Sequence, residues 1–408
     1  MMYFLKKINH INVLIFFFLN IFLLPVYPSN LKPLLIVLLL LGSIFYARKN
    51  KTKFNLSLIK QNRSFYINTS LFFILGIGLF YTSNINIGAS LLFRMSPLLI
   101  FPIIFKCIND TTDISQQLIL KAYSFFYIAT VVLFFSFFVY FYFNGDITVN
   151  FLRNYNERIN NLLGSYSVHP LYASIYVSIA LILSVNLHKE RLLSSGIIVF
   201  FNILLMLNLI LLARKSALII MFIFFLIYQL KLKKTKRINK IIATLIIVFL
   251  GLFIFIFVPD VSYRFEGILS DFSSNGSIGL RINIFKCSFS SILESPVIGY
   301  GIGSLNDVLV VCYRSLPEVF NGQYYNTHNQ YLGIWLSSGI FGFLSLILII
   351  SSAFKNLIRA KDITSLAILL LFSCMMLIES LLERQDGVIL FALFINLFIF
   401  KNQDRKTK

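Results

Sequence analysis

Charge is what this sequence has least of. Only 13% of its 408 residues are Asp, Glu, Lys or Arg, about half the share found in soluble globular domains. Cysteine is scarce too: there are four, with no CxxC or paired His/Cys spacing, which argues against a disulfide framework or a zinc site. No structural metal and no cofactor is expected. Acidic residues number 16 against 36 basic ones. No internal repeat and no low-complexity linker stands out, which leaves no ground for a repeat architecture.

Apolar sequence fills the space instead. Hydrophobic residues make up 58% of the chain and the mean hydropathy is +0.83, the composition of an all-α integral membrane protein. In a soluble protein the formal charge of +20 would point to nucleic acid. Here the basic residues fall in the gaps between apolar runs, where they set topology. No nucleic-acid partner is expected, and membrane lipid is the surrounding phase.

A spanning helix needs about 20 apolar residues. Twelve candidates meet that requirement, near 9–27, 31–47, 66–83, 88–106, 118–144, 168–187, 194–213, 215–231, 240–258, 329–354, 364–380 and 386–401. The first has the basic start of a signal peptide but no small-residue cleavage site, so it is expected to be retained. Under this scheme 25 of the 36 Lys and Arg lie on one side and 11 on the other, which puts both termini in the cytoplasm. The chain then divides into nine helices over 1–258, an external loop over 259–328 with an amphipathic helix, and three helices with a tail over 329–408.

That loop is the one long polar excursion. Under the same topology it shares the external side with Arg94, Tyr166 to His169, Arg214 and Arg384, so five separate pieces of sequence are able to meet at one external cavity. Arg214, in LLARKSALII, sits between two apolar runs; an Arg at mid-membrane depth costs on the order of 2.5–3.5 kcal/mol. It is either a snorkelling interfacial residue or a cation poised for an anion. Arg281 opens an amphipathic segment of about four turns, with Ser277 as its cap; this Arg is a surface residue or a ligand. The glycines of SPVIGYGIGS lack the strand-and-helix context of a phosphate loop and are read as a tight turn.

His328, in NTHNQYLGIW, stands where the polar loop becomes a membrane helix. A neutral imidazole can accept a proton from a hydroxyl near pH 7, whereas a lone His is more often structural. Its polar neighbours, Thr327, Asn329, Gln330 and Tyr331, favour the functional reading. His169-Pro170 either binds substrate or caps its helix. Glu379, Glu383, Arg384 and Gln385 form a polar knot, in which the two carboxylates either join a site network with Arg384 or Arg214 or make a structural ion-pair network. Cys287 and Cys312 are able to oxidise together, although spacing alone does not require it.

Arg214 after the seventh apolar run, the loop pattern RxxxF…SPVIGYGIGS, and THNQYLGIWLSSGIFGF together resemble the O-antigen ligase/polymerase family of bacterial envelope glycosyltransferases. The resemblance runs from Arg214 to the C-terminus; the first half agrees only in hydropathy. It implies a metal-independent, inverting membrane glycosyltransferase of the C-type (GT-C) architecture in the bacterial inner membrane, with its active site facing the periplasm. The implied donor is an undecaprenyl-diphosphate-linked glycan, and the acceptor is lipid A–core or a growing glycan. The family's essential residues match Arg214, Arg281 and His328, with His169, Asn329, Arg384 and Arg94 as candidate substrate contacts. ARKS stands where many ligases have SRG or TRA, which keeps the Arg and changes its neighbours.

Negative charge develops on a departing diphosphate, and Arg engages phosphate in bidentate fashion, which suits Arg214 and Arg281. His328 is the candidate base for the acceptor hydroxyl. Three readings follow: a ligase, a polymerase extending glycan on the carrier, and a flippase for lipid-linked oligosaccharide. A flippase should carry charge throughout its helices, whereas intramembrane charge is sparse here.

Overall fold

The computed structural model describes residues 10–49, 63–111, 115–144, 155, 158–160, 168–212, 214–231, 277–314, 316 and 325–400. Among these the secondary structure is entirely helical. The α-helices are α1 (His10–Asn20), α2 (Leu31–Lys49), α3 (Arg63–Ile77), α4 (Ile85–Arg94), α5 (Pro97–Thr111), α6 (Gln116–Phe143), α7 (Pro170–Lys189), α8 (Ser195–Leu211), α9 (Lys215–Lys231), α10 (Ser277–Glu294), α11 (Leu305–Tyr313), α12 (Gln330–Ala360), α13 (Ile363–Met375) and α14 (Gln385–Phe400). Six helical segments are long and apolar enough to cross a membrane: Leu31–Lys49, Arg63–Phe80, Ile85–Asn109, Gln116–Phe143, Pro170–Lys189 and Gln330–Ala360. Shorter apolar helices occupy five more of the expected spans. The expected span at 240–258, Tyr166, and the loop segments 259–276 and 317–324 lie outside the described residues.

The chain forms two compact units, Met1–Ala129 with Leu280–Lys408, and Thr130–Gly279. At the centre of the first is α14, in which every residue from Gly387 to Phe400 is buried. A helix apolar on all sides loses nothing by being enclosed. It packs against α5, α12 and α13, and Phe394 meets the rings of Phe22, Phe126 and Phe372 at centroid distances of 6.2, 5.5 and 6.3 Å. In its buried stretch the amide of Asn396 accepts from Asn68 Nδ2 at 2.9 Å, an interhelical bond of the kind worth roughly 0.6–2 kcal/mol in a bilayer.

The second unit is built in the same way around α7, buried along nearly its whole length and packed on α8 and α9. Tyr155 is fully buried and donates to Asn208 Oδ1 on α8 at 2.5 Å.

What positions the candidate site is a break in α12. Gly339 lies at φ 63°, ψ −163°, outside the helical range and open to glycine because it has no Cβ. The break frees the carbonyls of Leu336 and Ser337, and the turn after α10 supplies their donors: Tyr300 N at 2.9 Å and Gly301 N at 2.9 Å. In return Pro296 O accepts from Ile340 N at 2.9 Å and from Trp335 Nε1 at 3.0 Å. A Cβ on Gly339 would lie 2.0 Å from Val297 O. The glycines of SPVIGYGIGS form the tight turn expected, with Gly299 and Gly301 at positive φ, and that turn packs on the break in α12. Beyond the break, residues 340–360 extend about 31 Å at 1.5 Å per residue, close to the thickness of a hydrocarbon core.

The amphipathic helix expected after Gly276 is α10, 18 residues long. Its Ile284, Cys287 and Ile292 are buried with Leu309 and Tyr313 of α11 and Leu336 of α12. Phe289 and Leu293 point outward, 51% and 64% exposed. Cys287 and Cys312 form a disulfide, with Cα atoms 5.7 Å apart, so α10 and α11 are covalently tied. Disulfides persist in oxidising compartments.

Candidate active site

The sequence NTHNQ turns abruptly into α12, and each residue has a distinct part in the turn. Asn326 Oδ1 accepts the backbone N–H of His328 at 3.1 Å, an Asx turn. It holds His328 at φ 43°, in the left-handed region that His and Asn enter more readily than most residues. Thr327 Oγ1 donates to the carbonyl of Asn329 at 2.8 Å. Asn329 then caps the helix, its Oδ1 accepting from Tyr331 N and Leu332 N at 3.0 and 3.1 Å, while Nδ2 donates to Leu377 O at 3.0 Å. Gln330 locks the turn to the segment after α13: its N–H donates to Met376 O at 2.8 Å and its Oε1 accepts from Leu382 N at 2.5 Å.

These bonds fix what the helix terminus can offer. The N–H groups of Gln330, Tyr331 and Leu332 already have partners, so an anion here must be held by side chains.

The cation is Arg281. Its Nη2 lies 3.0 Å from Glu379 Oε1, while His328 Nδ1 lies 3.3 Å from Glu379 Oε2. One carboxylate thus bridges the candidate cation and the candidate base. Arg281 is 41% exposed and the imidazole 28%, so both can be reached from outside while Glu379 stands behind them at 21%.

Four residues beyond Glu379, the carboxylate of Glu383 accepts from Asn326 Nδ2 at 2.9 Å. Its main-chain carbonyl accepts from Arg94 Nη1 at 2.7 Å. Burial pushes the Glu383 carboxyl above its usual 4.5, opposed by hydrogen bonds from Asn326 and Ser380 and by the charges of His328 and Arg94. Desolvation disfavours the charged form of a buried acid. The five-residue segment from Glu379 to Glu383 therefore holds His328 twice, by its imidazole and, through Asn326, by its backbone. Beside it Lys32, 2% exposed, pairs with Asp386 at 2.5 Å.

Of the residues singled out in the sequence, His328, Arg281, Asn329 and Arg94 are brought together through Glu379, Glu383 and their neighbours. Arg384 follows directly, exposed at the start of α14, with its carbonyl accepting from Val388 N at 3.1 Å. Asn329 acts as a helix cap. Arg214 and His169 belong to the second unit. Arg214 is half-buried at the break between α8 and α9, its carbonyl accepting from Leu218 N at 3.1 Å. His169 caps α7, its Nδ1 accepting from Leu171 N at 3.3 Å, with Pro170 at the first helical position.

Sequence reasoning linked Glu379 to Arg384 or Arg214, whereas its partners here include Arg281 and His328. Asn326 was overlooked, although an Asn two residues before a His at a helix start is itself an Asx-turn signal.

Among the described residues, fold and site together define an all-helical protein with several helices long and apolar enough to span a membrane and a polar cluster of one His, two Arg and two Glu at the head of a broken helix. The sequence pattern of the family described as O-Antigen ligase matches residues 200–347, a stretch that contains Arg214, Arg281, His328 and Asn329. Over those residues the chain is similar to that family. The chain is also similar to an uncharacterised protein of Haemophilus influenzae, at 31% identity over 123 residues, which is 28% of this chain and 31% of that protein. The chain thus spans about a third of the length of that relative.

Proposed function

We propose that the protein is an O-antigen ligase, transferring a finished glycan from undecaprenyl diphosphate to lipid A–core at the outer face of the bacterial inner membrane. The observation that carries this reading is the joint placement of Arg281 and His328, both in the family-matched stretch, on the two oxygens of Glu379, which lies beyond it.

In this reading the acceptor hydroxyl loses its proton to His328 as its oxygen bonds to the anomeric carbon. The bond from that carbon to the diphosphate oxygen breaks on the opposite face, inverting the centre, and its electron pair leaves with the diphosphate. Arg281 balances the charge that develops there, the role of a preorganised cation in such transition states. Arg94 and Arg384 border the substrate, and Asn329 sets the angle at which α12 presents His328. We further propose twelve spans and the C-type membrane glycosyltransferase architecture. The Cys287–Cys312 disulfide supports an external location for α10 and α11, since thiols on the cytoplasmic side stay reduced.

The experiment is the size of the glycans left on undecaprenyl diphosphate when the gene is deleted. Long chains on the carrier together with bare lipid A–core support the ligase. Single repeat units on the carrier overturn it in favour of a polymerase, for which the same residues serve and only the acceptor differs.

A further inference from the structure

We infer that Glu379 is a positioning residue that decides which nitrogen of His328 takes the proton and ties that choice to occupancy of the donor site. The inference deepens the proposed transfer and rests on it for the kinetic part alone. Beside the Arg281 guanidinium at 3.0 Å the carboxylate is ionised, and an ionised carboxylate only accepts hydrogen bonds. Its contact with His328 Nδ1 at 3.3 Å therefore requires the proton on Nδ1, which leaves Nε2 with the free lone pair. The His328 backbone is fixed separately by Asn326, so the ring is held at both ends and Nε2 is the atom presented to the acceptor hydroxyl.

The second consequence concerns Arg281. Its side chain is 41% exposed and donates to Glu379, so part of its charge is engaged by that carboxylate. A diphosphate binding at Arg281 competes for the guanidinium. As Arg281 turns to the diphosphate, the negative charge of Glu379 falls more fully on His328, stabilising the imidazolium that forms when Nε2 accepts the acceptor's proton. The base is thus strongest when donor is present, which disfavours proton uptake from water in its absence.

The Glu379→Gln variant separates this from a scaffold role. Arg281 has donors only, so the amide oxygen must turn to Arg281 and the amide nitrogen to His328 Nδ1. Nδ1 must then accept, and the proton moves to Nε2, the wrong tautomer. The direct readout is the ¹⁵N spectrum of the imidazoles in the purified full-length protein, which has four histidines; the His328 signals are assigned by their loss in His328→Gln. Expected are an Nδ1-protonated ring in the wild type and an Nε2-protonated ring in Glu379→Gln. The same tautomer in both proteins, or Nε2–H in the wild type, overturns the inference.

The kinetic readout is glycan transfer. Glu379→Gln should lower kcat on the order of 10- to 100-fold, the scale for groups that orient a ligating histidine. Its KM for donor should not rise, since Arg281 is no longer held back by a charge. Glu379→Asp, which keeps the charge on a shorter arm, should recover part of kcat. A rise in KM with kcat unchanged overturns the inference. Should the wild type transfer no glycan, the proposed function fails while the tautomer result still decides the role of Glu379.

Discussion

Glu379 Oε1 accepts from Arg281 Nη2 at 3.0 Å across 98 residues of sequence, joining the helix within the polar loop to the turn before the last helix. The candidate base is added to the same carboxylate by a turn of five residues, Asn326 to Gln330. The site is therefore assembled from three segments, each fixed by its own local chemistry.

Removing the cation should be felt mainly in catalysis. Arg281→Ala is expected to lower kcat about 100-fold or more, the scale for losing one preorganised donor to developing charge. Arg281→Lys should recover little, because a point charge does not reproduce a planar fork. Transfer assays with purified donor check both; full activity in Arg281→Ala would remove it from the site.

The break in α12 is expected to tolerate no side chain. Gly339→Ala places a Cβ 2.0 Å from Val297 O at a positive φ, a backbone strain of about 1–3 kcal/mol before any clash is counted. Thermal unfolding in detergent should show a large fall in Tm, or the protein should fail to accumulate. Gly196, with nothing within 4 Å, is the control: Gly196→Ala in the first turn of α8 should leave Tm unchanged or slightly raised.

Breaking the Cys287–Cys312 link should cost roughly 3 kcal/mol, the chain-entropy value for a loop of this size. Because α10 carries Arg281, the paired Cys→Ser variant should lose transfer activity at temperatures where the wild type is fully active. Wild-type protein treated with reductant should behave in the same way. Identical melting with and without reductant would contradict a structural role.

Glu383 makes stability depend on pH. Its folded-state pKa is raised above the 4.5 of the unfolded chain by burial, so the folded protein keeps that proton to higher pH. The contribution is fully present below about 4.5 and is lost as pH rises through the raised value. Glu383→Gln keeps an acceptor for Asn326 and removes the titration. In plots of Tm against pH, the wild type should fall relative to Glu383→Gln on rising from pH 4.5; parallel curves would contradict the assignment.

Hydropathy carried most of the architecture, because a bilayer requires each span to be apolar and of nearly constant length. Eleven of the expected spans coincide with helices among the described residues. His328 and Arg281 were legible for a related reason: polar groups concentrated in one loop of an otherwise apolar chain stand out. Glu379 was visible as a charge but not as a bridge, since a partner 98 residues away leaves no local pattern. Asn329 was visible as a polar residue at a helix start but not as a cap: the kind of amide that can bind a sugar also makes a good cap, and its Oδ1 accepts from Tyr331 N and Leu332 N. The break at Gly339 was hidden because Ser337, Ser338 and Gly339 are too short a run to interrupt the hydropathy of α12.

The most direct measurement is glycan transfer by the purified protein in liposomes, comparing wild type with His328→Ala and following binding of undecaprenyl diphosphate in parallel. Expected is a loss of turnover of about 10²- to 10⁴-fold, the usual contribution of a general base, with carrier binding unchanged. Full turnover in His328→Ala would contradict the central role given to this residue.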